Sequence, residues 1–316
     1  MRALLSMVAL GLPLFALGQD LGPLEVRTLR GLTLPFLRIQ PRGAILEKAH
    51  LDCSLTFEAA NDIRFQSQGG RNVREDYEID RLVLRYRLGQ GNGSDVTVEA
   101  SLVSRSGGIL DGVIDKWHQY VLHRGYVRQG QPYGRSFIEI PGHATYGSAA
   151  GLGDITISGA HAMNPRLMSV GAIKLPVGDK HKLLGSGGVD FGGALQWKVP
   201  IKPDLDLHTQ VGYVFQGRSS ELPEARKTAL QGALSLVYRR NSKDTYIGQL
   251  QAEPSAIVTG VSGSDDSHRM LAMAFRRKLS EARFLEVYIL EDGDWAPGLT
   301  NIAPDFTLGL RWLWRR

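Results

Sequence analysis

The chain has 316 residues, a formal net charge of +5, 37 glycines and one cysteine. A single cysteine excludes an internal disulfide framework, and Cys53 lies too far into the chain to be a lipoprotein's acylated first residue. The arginines are dispersed rather than clustered with aromatics, which argues against a nucleic-acid partner.

The N-terminus reads as an export signal. Arg2 supplies the positive start, and Ala3 to Leu17 is apolar apart from Ser6, Gly11 and Pro13. Ala16 and Gly18 stand at the small-residue positions of a cleavage site. Residues 1–18 are therefore expected to be a signal peptide, with one domain over 19–316; an uncleaved anchor is the alternative. No later segment is long and apolar enough to cross a membrane as a helix, so the chain either leaves the membrane or crosses it as strands.

Alternating segments then recur. Leu51, Cys53, Leu55, Phe57 and Ala59 oppose Asp52, Ser54, Thr56 and Glu58, a period of two that marks a strand with unlike faces. Glu78–Leu88 sets Leu82, Leu84, Tyr86 and Leu88 against Arg81, Val83, Arg85 and Arg87, and Ser94–Ser104 continues the pattern. Weaker strands are expected at Asp154–Ala162 and Met168–Leu175, and clearer ones at Val189–Val199 and Leu205–Phe215. Thr228–Tyr238, Thr245–Ala252, Arg269–Arg277, Phe284–Glu291 and the terminal Phe306–Trp314 complete about twelve, each near the ~9–11 residues that a tilted strand needs to span a bilayer.

The connectors alternate between short and long. Gln90–Gly93, Asn164–Arg166, Pro200–Asp204, Arg240–Asp244 and Lys278–Arg283 are short; Ala60–Tyr77, Arg105–Gly153, Pro176–Gly188, Gly217–Lys227, Glu253–His268 and Asp292–Pro304 are long. Outer-membrane barrels alternate in this way, with tight periplasmic turns and longer outer loops. Aromatics on the apolar faces fall near both ends, Tyr86, Trp197, Tyr238, Tyr246, Phe275 and Trp312 by the short turns, Phe57, Phe191, Tyr213, Phe215 and Phe306 by the long loops.

The expected fold is all-β: a closed antiparallel up-and-down transmembrane barrel of about twelve strands, with a soluble periplasmic β-sandwich as the alternative. Twelve strands enclose more space than one layer of apolar side chains fills easily. Turning an arginine to lipid would cost roughly 2–4 kcal/mol near the midplane. Arg81, Arg85 and Arg87 are therefore expected to face the lumen, with Glu99, Asp190, Lys198 and His208 among their polar company.

The longest connector carries the one convincing helix, about Ile109 to His123. Leu110, Val113, Ile114, Trp117 and Val121 recur at helical spacing, with Asp111, Asp115, Lys116 and Gln119 elsewhere on the wheel. Three placements are open: packed on the barrel rim, folded over the lumen as a gate through Leu110, Ile114, Trp117 and Val121, or lying on the membrane surface.

Motifs for chemistry are sparse. Gly185–Gly188 lacks the residues of a phosphate loop, the eight histidines have no metal-ligand spacing, and no nucleophile elbow joins a strand to a helix. The acidic pair Asp265–Asp266 reads as a solvated loop tip. No catalytic residue, metal or cofactor is expected.

Several phrases together carry a resemblance: YEIDRLVLRYRLG (Tyr77–Gly89), LVSRSGGILDGVIDKWH (Leu102–His118), GLGD (Gly151–Asp154), KLPVGD (Lys174–Asp179), GSGGVD (Gly185–Asp190) and DFTLGLRW (Asp305–Trp312). They resemble a bacterial domain-of-unknown-function family, number 3187, of outer-membrane-type barrel proteins. GLGD and KLPVGD are also similar to outer-membrane transporters for aromatic compounds. The resemblance implies an outer-membrane barrel and, through the second likeness, transport; it brings no assigned residues. The chain departs from the usual aromatic end of such barrels, because Arg315 and Arg316 follow Trp314.

The leading functional expectation is a passive pore or small-solute channel of the bacterial outer membrane with a mixed-charge lumen. Its partners would be membrane lipid and lipopolysaccharide, the barrel assembly machinery and a small solute, without nucleic acid. A lipid-modifying enzyme and a structural or adhesive barrel with a plugged lumen are the alternatives.

Overall fold

A computed structural model describes residues 21–120, 130–292, 304 and 306–316. The expected signal peptide lies outside the described residues. Among the described residues fourteen antiparallel strands form a single sheet: β1 (Leu51–Gln68), β2 (Arg71–Gly91), β3 (Ser94–Ser106), β4 (Phe137–Glu139), β5 (Ala149–Leu152), β6 (Ile155–Asn164), β7 (Leu167–Leu175), β8 (Asp190–Lys202), β9 (Leu205–Phe215), β10 (Thr228–Arg239), β11 (Asp244–Pro254), β12 (Ser267–Ser280), β13 (Arg283–Asp292) and β14 (Phe306–Arg315). Setting aside the two short strands β4 and β5, twelve strands close an up-and-down barrel, β14 pairing with both β13 and β1. Every segment read as alternating from the sequence is one of these twelve.

The seam is tied at the chain end. Leu51 and Arg316 exchange backbone hydrogen bonds at 2.7 and 2.8 Å, and Arg315 grips Asp52 through two bonds of 2.7 Å. Arg315 therefore clamps β14 to β1.

Facing follows from residue chemistry. Leu84, Leu102, Phe191, Val211 and Leu230 stand exposed on the outer face, while Arg81, Arg85, Arg87, Asp190 and Gln210 are buried within. Aromatics pair across the outer face: Tyr246 lies 5.4 Å from Phe275, Phe191 5.0 Å from Phe215, and Trp312 5.9 Å from Trp314. One rim carries the short turns and the other the long loops, hereafter the turn rim and the loop rim.

Two expectations change. Ala60–Tyr77, read as a loop, is strand: β1 and β2 run on past the barrel wall to a two-residue turn at Gly69–Gly70, both with positive φ. β14 covers β1 only as far as Asn61, so Asp62–Gln68 projects by roughly 20 Å at ~3.3 Å per residue. The alternation fades there because Ala59 to Arg64 are buried on both faces, which removes the polar contrast that a period-two reading needs. The connector Arg105–Gly153 also holds β4 and β5, which extend the sheet beyond β2 and β3.

Inside the wall, the Tyr288 ring lies over Gly309 and its hydroxyl donates to Glu58 at 2.7 Å. A Cβ on Gly309 would sit 2.0 Å from the ring. Gly309→Val should therefore destabilise the barrel by about 1–3 kcal/mol, the usual range for forced overpacking. A lowered unfolding midpoint in detergent, read from heat-modifiable gel migration, checks it.

Candidate functional site: a lumen filled by the chain's own N-terminal segment

The segment before β1, to which sequence reading assigned no element, runs through the lumen. From Leu21 at the turn rim one limb rises, residues 30–36 turn under the loop rim, and a second limb descends to His50, where β1 begins. Nearly all of residues 22–43 are buried.

Each limb has its own apolar core. Leu24 and Val26 pack with Val237, Ile247, Met270 and Tyr288. Leu37 and Ile39 pack with Ala160, Val170, Ala194 and Val214. At the top, Leu29, Leu32 and Phe36 meet Ile138, Leu183, Leu222 and Ile257, so the outer loops form a lid over the turn.

An extended chain inside a closed barrel has no strand edge to pair with, yet its buried peptide groups need partners. Glutamines of the inner wall supply them. Gln249 accepts from the Leu24 N–H and donates to the Leu24 carbonyl, both at 3.0 Å. Gln231 accepts from Ile39 N–H at 3.0 Å and donates to Leu37 O at 2.9 Å. Gln210 donates to Ile39 O at 2.7 Å and Gln196 to Gln40 O at 3.2 Å. Arginines and carboxylates take further peptide groups: Arg276 donates to Gly22 O at 2.9 Å, Arg311 to Glu25 O at 2.7 Å, and Asp190 accepts from Leu37 N–H at 2.8 Å.

Charges are matched in the same way. Arg30 lies against Glu75, its Nε 2.9 Å from Oε1, with both side chains fully buried, and Ser264 O accepts from it at 3.0 Å. Arg38 meets Glu253 at 3.2 Å, and Arg42 meets Asp95 at 2.8 Å. Arg27 donates to Phe36 O at 2.7 Å and so ties the two limbs across the turn.

The lumen candidates fall into this assembly. Arg81 bridges Glu58 at 3.0 Å and Glu99 at 2.6 Å; Arg85 joins Glu99 to Glu25 of the rising limb and donates to Gln40 at 2.9 Å. Arg87 pairs with Asp95 and donates to Ala44 O at 2.7 Å. Asp190 is bound from both sides by Leu37 and Gly217 N–H at 2.8 Å. Lys198 meets Asp206 at 3.0 Å near the turn rim, and His208 is buried beside it. All face inward, and three of them, Arg85, Arg87 and Asp190, contact the N-terminal segment directly.

A cavity of about 580 Å³ remains at the turn rim. It lies between the descending limb (Pro41, Ile45, Leu46) and the wall at Met168, Trp197 and His208.

The familiar phrases between 151 and 190 converge on one ammonium group. Lys174 donates to Asp154 at 2.6 Å, Ser186 at 2.6 Å and Gly188 O at 2.9 Å, with Asp190 at 3.5 Å. This knot folds the 176–189 loop back on the wall and, through Asp190, reaches Leu37 of the plug. Asp265, read as a solvated tip, is spent on its own loop: it accepts from Thr259 N–H at 2.7 Å and Gly260 N–H at 2.8 Å.

The helix α1 spans Asp111–Tyr120 and does not enter the lumen. Its Asp111 accepts from Asn61 at 2.8 Å, and Glu78 accepts from the N–H groups of Ile109 and Leu110 at 2.9 and 2.8 Å. Asn61 and Glu78 share the outward parity of Phe57 and Leu82, so α1 sits on the outer face. That corrects the gating placement. Of its four residues, Ile114 is buried against the wall and Leu110 is partly covered at the helix start; the side chain of Trp117 and all of Val121 lie outside the described residues.

The fold and its filled lumen define a class: a plugged twelve-stranded barrel of the outer-membrane type. Within that class, the chain belongs to the family described as "Protein of unknown function (DUF3187)", whose model matches residues 3–314. No curated protein matches it. Among solved structures it is similar to the COG4313 outer membrane channel from Pseudomonas putida F1, at 12% identity and a TM-score of 0.56 over 86% of this chain and 97% of that one. It also matches the Ralstonia pickettii toluene transporter TbuX, at 10% identity and a TM-score of 0.44, with 85% and 90% of the two chains covered. The KdgM porin matches at 9% identity and a TM-score of 0.42, with 83% and 98% covered.

Removing one member of a buried pair leaves an uncompensated charge, whereas replacing both by apolar residues is often near neutral. Arg30→Ala should weaken plug docking by about 3–5 kcal/mol, and an Arg30→Met, Glu75→Met double variant by far less. Protease cleavage within residues 21–50 of the folded barrel should rise in the single variant and return toward wild type in the double.

Proposed function

We propose that this protein is a channel of the bacterial outer membrane for a small solute, held closed at rest by its N-terminal segment. The observation that carries the reading is the way the plug is held. Its grip comes from separate side-chain hydrogen bonds, ion pairs and three apolar clusters, with no β-ladder to the wall, so it can leave while every strand keeps its neighbours. The wall it covers is the kind a hydrated passage needs: Arg81, Arg85, Arg276 and Arg311 interleaved with Glu58, Glu99 and Glu286. Such a lumen would favour polar or charged solutes once opened. The cavity at the turn rim is the part of the lumen that the plug leaves open.

The outer-membrane location rests on the apolar exterior, the short and long connectors and the barrel fold. The membrane's lipid and lipopolysaccharide, and the machinery that assembles barrels, are the partners this reading requires. A permanently plugged structural barrel is the second reading, favoured by the depth of the Arg30–Glu75 pair and the lid of outer loops. A lipid-modifying enzyme has less support. Ser186 does lie beside an amine, but the Lys174 amine is buried and spent on Asp154, Ser186 and the Gly188 carbonyl, an anchor for the loop.

Planar-bilayer recording separates the readings. Wild-type protein should conduct rarely, and a variant lacking residues 22–45 should show steady ohmic conductance. A deletion variant that keeps its folded, heat-modifiable band yet passes no ions would overturn the channel reading in favour of the structural one.

A further inference from the structure

Helix α1 is built inside out. Its two carboxylates face the protein: Asp111 and Asp115 are each 5% exposed, Asp111 held by Asn61 and by Gly134 N–H at 2.8 Å, Asp115 by the Tyr133 hydroxyl at 2.8 Å. Ile114 packs against the wall with them, but three other apolar side chains face away. Ile109 just before it is 86% exposed, Val113 63% and Tyr120 68%. With Lys116, also exposed, they recur at intervals of four, three and four, a single stripe along one side. A helix bathed in water would present the reverse arrangement.

The location supplies the reason. The strand pairings place Phe57, Leu82 and Leu102 in one row of the outer wall, all exposed and near the top of the apolar exterior. Asn61, Glu78 and Ser106 form the row four residues further toward the loop rim, and this is where α1 is bolted. At ~3.3 Å per residue on tilted strands, that is roughly 10 Å above the apolar row, the depth of the headgroup region. The attachment is rigid. Glu78 takes the two N–H groups just before the helix, where a negative charge is also favoured by the helix dipole, and Gly108 is glycine because a Cβ there would lie 2.1 Å from the Glu78 carboxyl. On the same outer face above α1, Arg74 stacks on Phe65 and Phe137 at 5.5 and 5.4 Å.

We propose that α1 is an interfacial foot, resting its Ile109–Val113–Tyr120 stripe on the outer leaflet of the membrane that holds the barrel, with Lys116 toward the headgroup phosphates. The occupant of this face is the lipid surface itself, because the stripe stands on the same outward side of β1 to β3 as the lipid-facing wall, just beyond its last exposed apolar row. The proposal rests on the membrane-spanning reading of the barrel.

The test uses the full chain in lipid vesicles, with Cys53→Ser providing a cysteine-free background. Val113→Cys and Leu84→Cys, both at exposed positions, are each labelled with an environment-sensitive fluorophore after a heat-modifiability check of folding. Lipids brominated near the headgroup, lipids brominated deep in the chain, and aqueous iodide serve as quenchers. The Val113 label should be quenched most by the shallow bromines and the Leu84 label most by the deep ones. Quenching of the Val113 label by iodide alone, with Leu84 still quenched by deep lipid, overturns the foot and leaves the barrel reading standing. Iodide quenching of both overturns the membrane reading and the foot with it.

Discussion

The structure depends on one requirement: every peptide group of a chain buried inside a closed barrel must find a partner that is not a strand. A barrel has no free edge, so its wall cannot offer a ladder to a segment in its lumen. The glutamines at 196, 210, 231 and 249 meet the requirement, because a side-chain amide has the donor and acceptor of a peptide group and can stand in for one. They lie on β8 to β11, while the arginines at 81, 85 and 87 gather on β2. The lumen thus has a neutral sector that grips backbone and a charged sector that grips both backbone and side chains.

The same inversion governs the molecule at three scales. In the wall, arginine and carboxylate point in while leucine and phenylalanine point out. In the plug, charged residues find charged partners at full burial, which their desolvation makes necessary rather than generous. In α1, two aspartates are turned to the protein and the apolar stripe to the surroundings. A water-soluble protein sorts its residues the other way at each of these levels.

The wall was legible in the sequence because its two faces meet unlike surroundings, and unlike surroundings leave a period of two. The reading failed where that contrast vanished. Residues 60–64 are covered on both sides, and there the sequence reads as loop. The plug is harder still: Leu24, Arg27, Arg30, Phe36 and Arg42 are buried all round, so neither face is polar and no period forms. Pro23, Pro35 and Pro41 further disguise it as a connector. What the sequence did hold was a surplus, about thirty residues before the first strand that carry arginines and apolar residues and have no element to serve. The helix was found, but its orientation was not, since Val113 and Ile114 look alike on a wheel and face opposite ways in the structure. Arg81, Arg85 and Arg87 lie on the inner face; what covers them is not legible in the sequence, because the partner belongs to no periodic element.

The path of the plug has a topological consequence. Its first described residue and its last lie at the same rim, so it occupies the lumen as a bight rather than as a thread. A thread must draw a free end through the barrel to escape; a bight can slip back the way it came, still joined to β1 at His50. No strand pair at the seam has to open. Any pull that empties the lumen must therefore act from the turn rim alone, and the loop rim, however firmly lidded, is never crossed by the moving chain.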